Sequence, residues 1–412
     1  MSMFGLKSEA EKLIGEIKGY GNMKDYGVKE ILSNIKDGGI GFRSLEEELW
    51  SEIPGWIPTG SPSLDYAIGG YQRGFRGGIP IGRATEIWGP ESTGKSTLLD
   101  NIIKNFLNEM DGIFILADKE HAHEERRMLE IGVDPTNLVF MEKLIKEDAK
   151  NAEDYSLEDF FEVGKKACKA IRKAHPEVPI AIALDSLGAI DTTMQQAVEG
   201  NQSMKEMLNK AATMTAMFPN FCSFITEIGG TVILINQQRT KPGMSFGDPT
   251  YSPGGDTKNF MFSLRIKVER DEIIKADADP TRSPDGPDDI GIITRFKINK
   301  NKIAPPFRKG RFALLFDDRG IYYPYGLALL IEDRKVWERN GCRLEKVGNT
   351  YSWDGETLGR SFKRMVKTLA ENEELMCEIE ADLFGNEPYD PPSNVLAEVE
   401  ESLDEKPKRK KK

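Results

Sequence analysis

The chain has 412 residues, of which 39% are hydrophobic and 30% charged, and its formal net charge is −11. That length allows more than one packed unit. No apolar run reaches the roughly 18–20 residues needed to span a bilayer, and the acidic balance excludes nucleic-acid binding through global charge. Four cysteines, Cys168, Cys222, Cys342 and Cys377, lie far apart and form no Cys-x-x-Cys pair, so neither a disulfide framework nor a zinc site is expected. The N-terminus lacks the basic-then-apolar layout of a signal peptide, which leaves a reducing, cytoplasmic compartment as the expectation.

In chain order, Leu13, Ile14 and Ile17 among Lys and Glu give a weak amphipathic helix. Trp56 to Gly82 is rich in Gly and Pro and reads as turns and short extended pieces. A strand over Ala84–Trp88, a helix over Ser96–Met110 and a strand over Gly112–Ala117 follow. Next come a long helix over Leu157–Ala174, an all-apolar strand Ile180–Leu184, a helix Met204–Ile228 and a strand Thr231–Ile235. Strands alternating with helices predict an α/β core with helices on both faces. After Gly243 the pattern changes. Two strand-like runs, Phe260–Val268 and Gly291–Ile298, flank a polar stretch from Ala276 to Asp289 as an antiparallel pair, and Phe312–Phe316 adds a strand. Residues 336–384 read as a smaller unit with Trp337, Trp353 and a helix near Gly359–Leu369. From Asn386 a Pro-rich, then acidic tail ends in Lys406-Pro-Lys-Arg-Lys-Lys-Lys412 and is expected to be disordered. The expected division is therefore 1–55, 56–335, 336–384 and 385–412.

Gly89-Pro90-Glu91-Ser92-Thr93-Gly94-Lys95-Ser96, followed by Thr97, matches G-x-x-x-x-G-K-[ST] between a predicted strand and a predicted helix. Glycines let successive N–H groups point at phosphate oxygens, and the helix N-terminus adds a favourable dipole. Lys95 would neutralise the β- and γ-phosphates of a nucleoside triphosphate, and the Ser96 hydroxyl would ligate magnesium. Asp185, at the end of the apolar run Ile180–Leu184, suits the second magnesium role. Glu120, just past a strand, is the candidate to activate water, with a solvated loop glutamate as the equal alternative on position alone. His121 and His123 stand two apart without a supporting third histidine pattern, so a zinc site is not expected.

Asn236 to Gly255 forms a long Gly-rich loop with Arg239, Lys241 and Phe246, followed by Lys258. Such loops clamp a nucleic-acid backbone through cations and main-chain N–H groups; a ligand-free surface loop is the rival on composition. A second polar loop, Glu199 to Met204, precedes a helix at the same sheet edge. Gln237, at a strand end, is placed either to face a γ-phosphate or simply to start the loop.

Together these residues resemble the bacterial RecA recombinase family over about 56–331. The P-loop with its Pro-Glu-Ser, Asp118-Lys-Glu120-His121-Ala, Leu184-Asp185-Ser186, and Asn236-Gln237-Gln-Arg239-Thr-Lys241 with Gly254-Gly255 carry the likeness. The resemblance implies a RecA-like P-loop core with a mixed, mainly parallel sheet, flanked by a small N-terminal helical unit that docks on the next subunit and a C-terminal α/β unit. It implies ATP and Mg2+ as cofactors and Glu120 as the base. Gln237 becomes the γ-phosphate sensor. Met204, Arg239, Lys241, Phe246, Gly254, Gly255 and Lys258 fall in the DNA loops. Lys300 and Lys302, in Asn299-Lys300-Asn-Lys302-Ile-Ala-Pro-Pro-Phe307, are implied to reach a neighbouring subunit's nucleotide. Partners implied are single- and double-stranded DNA and further copies of the chain in a filament, with no membrane, in a bacterial or phage-infected cytoplasm. The sequence departs from the family where a base-stacking tyrosine is replaced by Arg127, where Pro242 takes the place of an apolar wedge, in the insertion Tyr71–Gly77, and in the Lys-rich tail. The expected activity is DNA-dependent ATP hydrolysis driving homologous pairing and strand exchange. A ring-forming, helicase-like motor and a non-catalytic ATP-switched DNA-binding mediator are the alternatives.

Overall fold

A computed structural model describes residues 55–69, 77–142, 154–196, 203–241, 249–275, 289–340 and 342–384, without the side chains of 203–207 and 338–340. The expectations for residues 1–54, for most of the insertion near 71, for the loop 276–288 and for the charged tail lie outside these residues.

Strands β1 (Trp56–Ile57) and β2 (Ile79–Pro80) make a short antiparallel ribbon. The main sheet is built from β3 (Ala84–Gly89), β4 (Ile113–Asp118), β5 (Leu138–Phe140), β6 (Ile180–Asp185) and β7 (Thr231–Gln237). After the small β8 (Arg239–Thr240) and β9 (Thr250–Tyr251), β10 (Leu264–Lys275), β11 (Asp289–Asn301) and β12 (Lys309–Leu315) complete it. The order is β12-β11-β10-β3-β7-β6-β4-β5. All pairs from β10 to β5 are parallel, and β11 is antiparallel to both its neighbours. The sheet is thus mixed and mainly parallel, as the sequence predicts.

Alternation decides which face each side chain covers. In β6, Ala181 and Ala183 join the cluster under the helix Lys95–Met110, with Leu98, Leu99, Ile102, Ile103 and Phe106. Ile180, Ile182 and Leu184 join the opposite cluster, under the helices Leu157–Ala174 and Ser203–Glu227, with Phe160, Phe161, Phe218 and Phe221. Each such side chain contributes about 1.5–3 kcal/mol by leaving water, which is why β6 is apolar at both parities. The helix Leu157–Ala174 begins where Ser156 and Asp159 form a reciprocal capping box.

Two local readings change. Within Trp56–Gly82, Pro62–Ile68 is helical because Ser61 accepts the N–H of Leu64 and Pro62 occupies the first turn. The strand expected from Phe260 starts only at Leu264, because Thr257–Met261 forms a helical turn; Phe262, just after that turn, packs on Phe218 at 5.0 Å.

A third apolar cluster combines Leu327, Leu330 and Ile331 of the helix Tyr323–Glu332 with β13 (Leu344–Val347), β14 (Thr350–Trp353), β15 (Glu356–Gly359) and the helices Phe362–Glu371 and Glu373–Phe384. Its core therefore draws on residues well upstream of 336. Among the described residues no helix is long and apolar enough to cross a membrane.

Candidate functional site

Sheet register brings the chemistry to one edge. Gly89 pairs with Gln237, and Asp118 with Asp185, so β3, β7, β6 and β4 deliver their C-terminal residues together. Parallel α/β sheets bind ligands at this edge. Gly89 can only be glycine, since a Cβ there would lie 2.1 Å from the Val268 carbonyl oxygen. Gly94 turns the loop into the helix at φ +83. The loop is tied to itself by Thr93 Oγ1 and Lys95 Nζ, which donate to the Pro90 carbonyl at 2.9 and 2.6 Å. Burial lowers the pKa of Lys95, against the opposing pull of Asp185, Glu120 and Glu91.

Ser96 Oγ donates to Asp185 Oδ2 at 2.6 Å. Asp185 is fully buried and its Oδ1 has no hydrogen-bond partner. A buried carboxylate oxygen left open beside a hydroxyl fits a hard cation such as Mg2+, which takes oxygen ligands directly or through water.

Glu120 is set by its neighbours. The Asp118 carboxylate accepts the N–H groups of Glu120, Ala122 and His123 at 3.1, 3.2 and 3.1 Å. Lys119 and Glu120 also donate N–H to the Asp185 carbonyl at 2.6 and 3.3 Å. The Glu120 Oε1 accepts from Ser186 Oγ and, at 2.8 Å, from Gln237 Nε2. Gln237 Oε1 in turn accepts from Arg239 at 3.4 Å. A hydrogen-bonded chain therefore runs from the candidate base to the first cation of the long loop.

The structure also joins two residues that sequence reasoning left apart. His123 Nδ1 lies 2.5 Å from Asp100 Oδ1, and its Nε2 lies 3.2 Å from Asp185 Oδ2, all three side chains being buried. Burial disfavours an imidazolium here, but the hydrogen bonds to Asp100 and Asp185 outweigh it and push the pKa up to about 10. The available signal was Asp100 itself, an acid among Leu98, Leu99, Ile102 and Ile103 on the buried helix face, which needs a buried partner.

In the long loop, Arg239 and Lys241 are exposed, and the Lys241 N–H closes the stem on the Pro249 carbonyl at 2.9 Å. Phe246 and Pro242 lie outside the described residues, as does the side chain of Met204. Gly254 and Gly255 have φ +111 and +77, a stretch of backbone that favours glycine. Lys258 departs from its expected role as a DNA contact. It is 0% exposed. Its ammonium group donates to Glu86 Oε1 at 2.6 Å and to Ser252 Oγ at 2.5 Å. Glu86 also accepts from Asn236 at 3.0 Å, Ser252 at 2.9 Å and Arg265 at 2.6 Å. Burial opposes the Glu86 charge, but Lys258 and Arg265 hold its pKa below the usual value.

Lys300 and Lys302 are not brought to the P-loop of their own chain. Their ammonium groups donate to the Phe260 carbonyl at 3.0 and 2.9 Å, and Lys300 also bonds the Asn259 carbonyl. Burial, with Lys302 and Arg265 nearby, lowers the Lys300 pKa to about 8. The Arg127 guanidinium donates to the carbonyls of Phe316 and Leu315 at 3.1 and 3.2 Å. Phe316, whose carbonyl accepts from Arg127, is itself exposed.

Comparison with known proteins places the chain in a family. The family described as RecA N-terminal domain matches residues 38–322. Curated relatives named Protein RecA include those of Tropheryma whipplei and Streptomyces coelicolor, each 32% identical over 324 residues, or 79% of this chain, covering 64% and 75% of the relative respectively. The Mannheimia haemolytica protein of the same name is 31% identical over 329 residues, 79% of this chain and 77% of its own. This chain belongs to the RecA family, whose members are nucleotide-binding recombinases and DNA-dependent ATPases.

Proposed function

We propose that this protein hydrolyses ATP in response to single-stranded DNA, assembles on that DNA as a helical filament with ATP between subunits, and carries out homologous pairing and strand exchange with double-stranded DNA. The observation that carries this reading is the hydrogen-bonded run from Glu120 through Gln237 to Arg239, which links the nucleotide edge to the loop that would hold DNA.

In this reading the backbone N–H groups of residues 91–97 cradle the phosphates, and Lys95 neutralises their charge. Ser96 and Asp185 would hold Mg2+, and its chemistry when bound would be to withdraw charge from the phosphate oxygens. Glu120 takes the proton of the attacking water as its oxygen bonds to the γ-phosphorus. The bond from that phosphorus to the bridging oxygen breaks, and ADP and phosphate leave. The Gln237 amide divides its hydrogen bonds between Glu120 and the γ-phosphate, so its orientation reports nucleotide state to Arg239 and Lys241. Lys300 and Lys302 serve the nucleotide of the adjoining subunit, and Arg127 with Phe316 lines the base end. The compartment is the cytoplasm of a bacterial or phage-infected cell, where such DNA occurs.

ATP turnover with and without single-stranded DNA, together with electron microscopy of the same samples, tests the reading. Stimulated turnover with DNA-dependent filaments is expected. Closed rings, or turnover indifferent to DNA, would overturn it.

A further inference from the structure

The imidazole of His123 is enclosed by acceptors. Nδ1 faces Asp100 Oδ1 at 2.5 Å and Nε2 faces Asp185 Oδ2 at 3.2 Å. The ring therefore bridges the two carboxyl groups, with Nε2 hydrogen-bonded to Asp185. Three separate elements meet through it: Asp100 from the helix after the P-loop, His123 from the segment that presents Glu120, and Asp185 from the end of β6. On Asp185 both donors, Ser96 Oγ–H and His123 Nε2–H, use Oδ2. Oδ1 has none and is fully buried. With both donors on one oxygen the carboxylate cannot rotate without losing them, so its other oxygen keeps one direction.

We propose that His123, braced by Asp100, is a positioning residue for the magnesium carboxylate, holding Asp185 so that Oδ1 is presented to the Mg2+–nucleotide. The inference rests on the assignment of Asp185 to magnesium made above. It assigns His123 no contact with substrate; the residue acts through Asp185, as outer partners of metal ligands do. A leucine at both 100 and 123 would keep the site filled and remove both members of the Asp100–His123 pair together. Such an exchange of a buried ion pair for apolar packing is often near neutral for stability.

The test is the Mg2+ dependence of binding a non-hydrolysable ATP analogue to the full chain, followed by nucleotide fluorescence with no turnover. For D100L/H123L the half-saturating Mg2+ concentration should rise about tenfold or more, the usual loss when an outer partner is removed, while binding at saturating Mg2+ and thermal unfolding stay near wild type. H123Q, which keeps one N–H donor for Asp185, should recover most of the wild-type Mg2+ dependence. D100N changes no volume and covers the case in which the double variant does not fold; a rise of severalfold is expected. Wild-type Mg2+ dependence in D100N and in a folded double variant overturns the proposal, as does an H123Q value equal to that of D100L/H123L. D185N separates this from the underlying assignment: if it leaves the Mg2+ dependence unchanged, the magnesium role of Asp185 fails and the inference falls with it.

Discussion

Lys258 offers the sharpest separation between a DNA contact and a structural cation, and K258M decides between them. The substitution keeps most of the volume and removes the charge from a fully buried pair. Breaking such a pair costs about 3–5 kcal/mol, because the remaining charge is stranded. Here Glu86 retains Arg265, Ser252 and Asn236, so the low end, about 3 kcal/mol, applies. At about 1.5 °C per kcal/mol for a unit of roughly 300 residues or more, Tm should fall by about 4–5 °C. The companion measurement is single-stranded DNA affinity against salt. Each lost phosphate contact lowers the slope of log K against log salt by about 0.7. A buried lysine makes no such contact, so the slope should be unchanged in K258M and should fall in R239A and K241A. An unchanged Tm with a slope reduced by about 0.7 would refute the burial argument and return Lys258 to the DNA surface. The same network predicts an acid limb. A carboxyl whose pKa is lowered in the folded state contributes stability that is complete above its unfolded value and lost as pH falls through the folded one. Wild-type Tm should therefore drop below about pH 4.3 more steeply than that of E86Q.

Three further outcomes follow from the site. E120Q should lower DNA-stimulated ATP turnover by about 10²–10⁴, the usual contribution of a general base, with nucleotide binding retained; unchanged turnover removes Glu120 from the base role. Lys300, with its pKa near 8, loses charge as pH rises through that value, so turnover in filaments should decline above about pH 8. K300R stays charged and should move the decline upward, whereas superimposable pH profiles for the two proteins would count against a charge role. R127A should raise the KM for ATP roughly fivefold, corresponding to about 1 kcal/mol of cation–π stacking, and should narrow the preference between purine bases. An unchanged KM would leave Arg127 as a tie to the end of β12.

The parts of the site legible in sequence share one property: each is a short run at a strand end. Gly89–Ser96, Asp118–Glu120 and Asp185 each carry their own context, a buried strand before and a turn or helix after, so register alone assembles them. Lys258 was not legible, because Glu86, its partner, is 172 residues away, and only the parallel pairing of β10 with β3 puts Arg265 beside Glu86 and Lys258 above it. From sequence, a lysine three residues past two glycines in a polar loop looks like a surface cation. His123 failed for a related reason. Its spacing to His121 invites a metal question, while the acids that fix it come from other elements, Asp100 23 residues before and Asp185 62 after.

These two buried networks bound the P-loop on both sides, and that arrangement limits what can move. Glu86 stands three residues before Gly89 and is locked to the stem of the long loop through Lys258, Ser252 and Asn236. Asp100 stands in the second turn after Lys95 and is locked through His123 to Asp185. Moving either flank means separating buried charges at about 3–5 kcal/mol per pair, a large share of a domain's whole stability. Glu120 and Arg239 are exposed and Gln237 is half-buried, and their hydrogen bonds exchange with water at about 0.5–1.5 kcal/mol each. A nucleotide or a DNA strand that must shift this edge by differential binding therefore meets least resistance along Glu120, Gln237 and Arg239, while the P-loop and the loop stem stay fixed on either side.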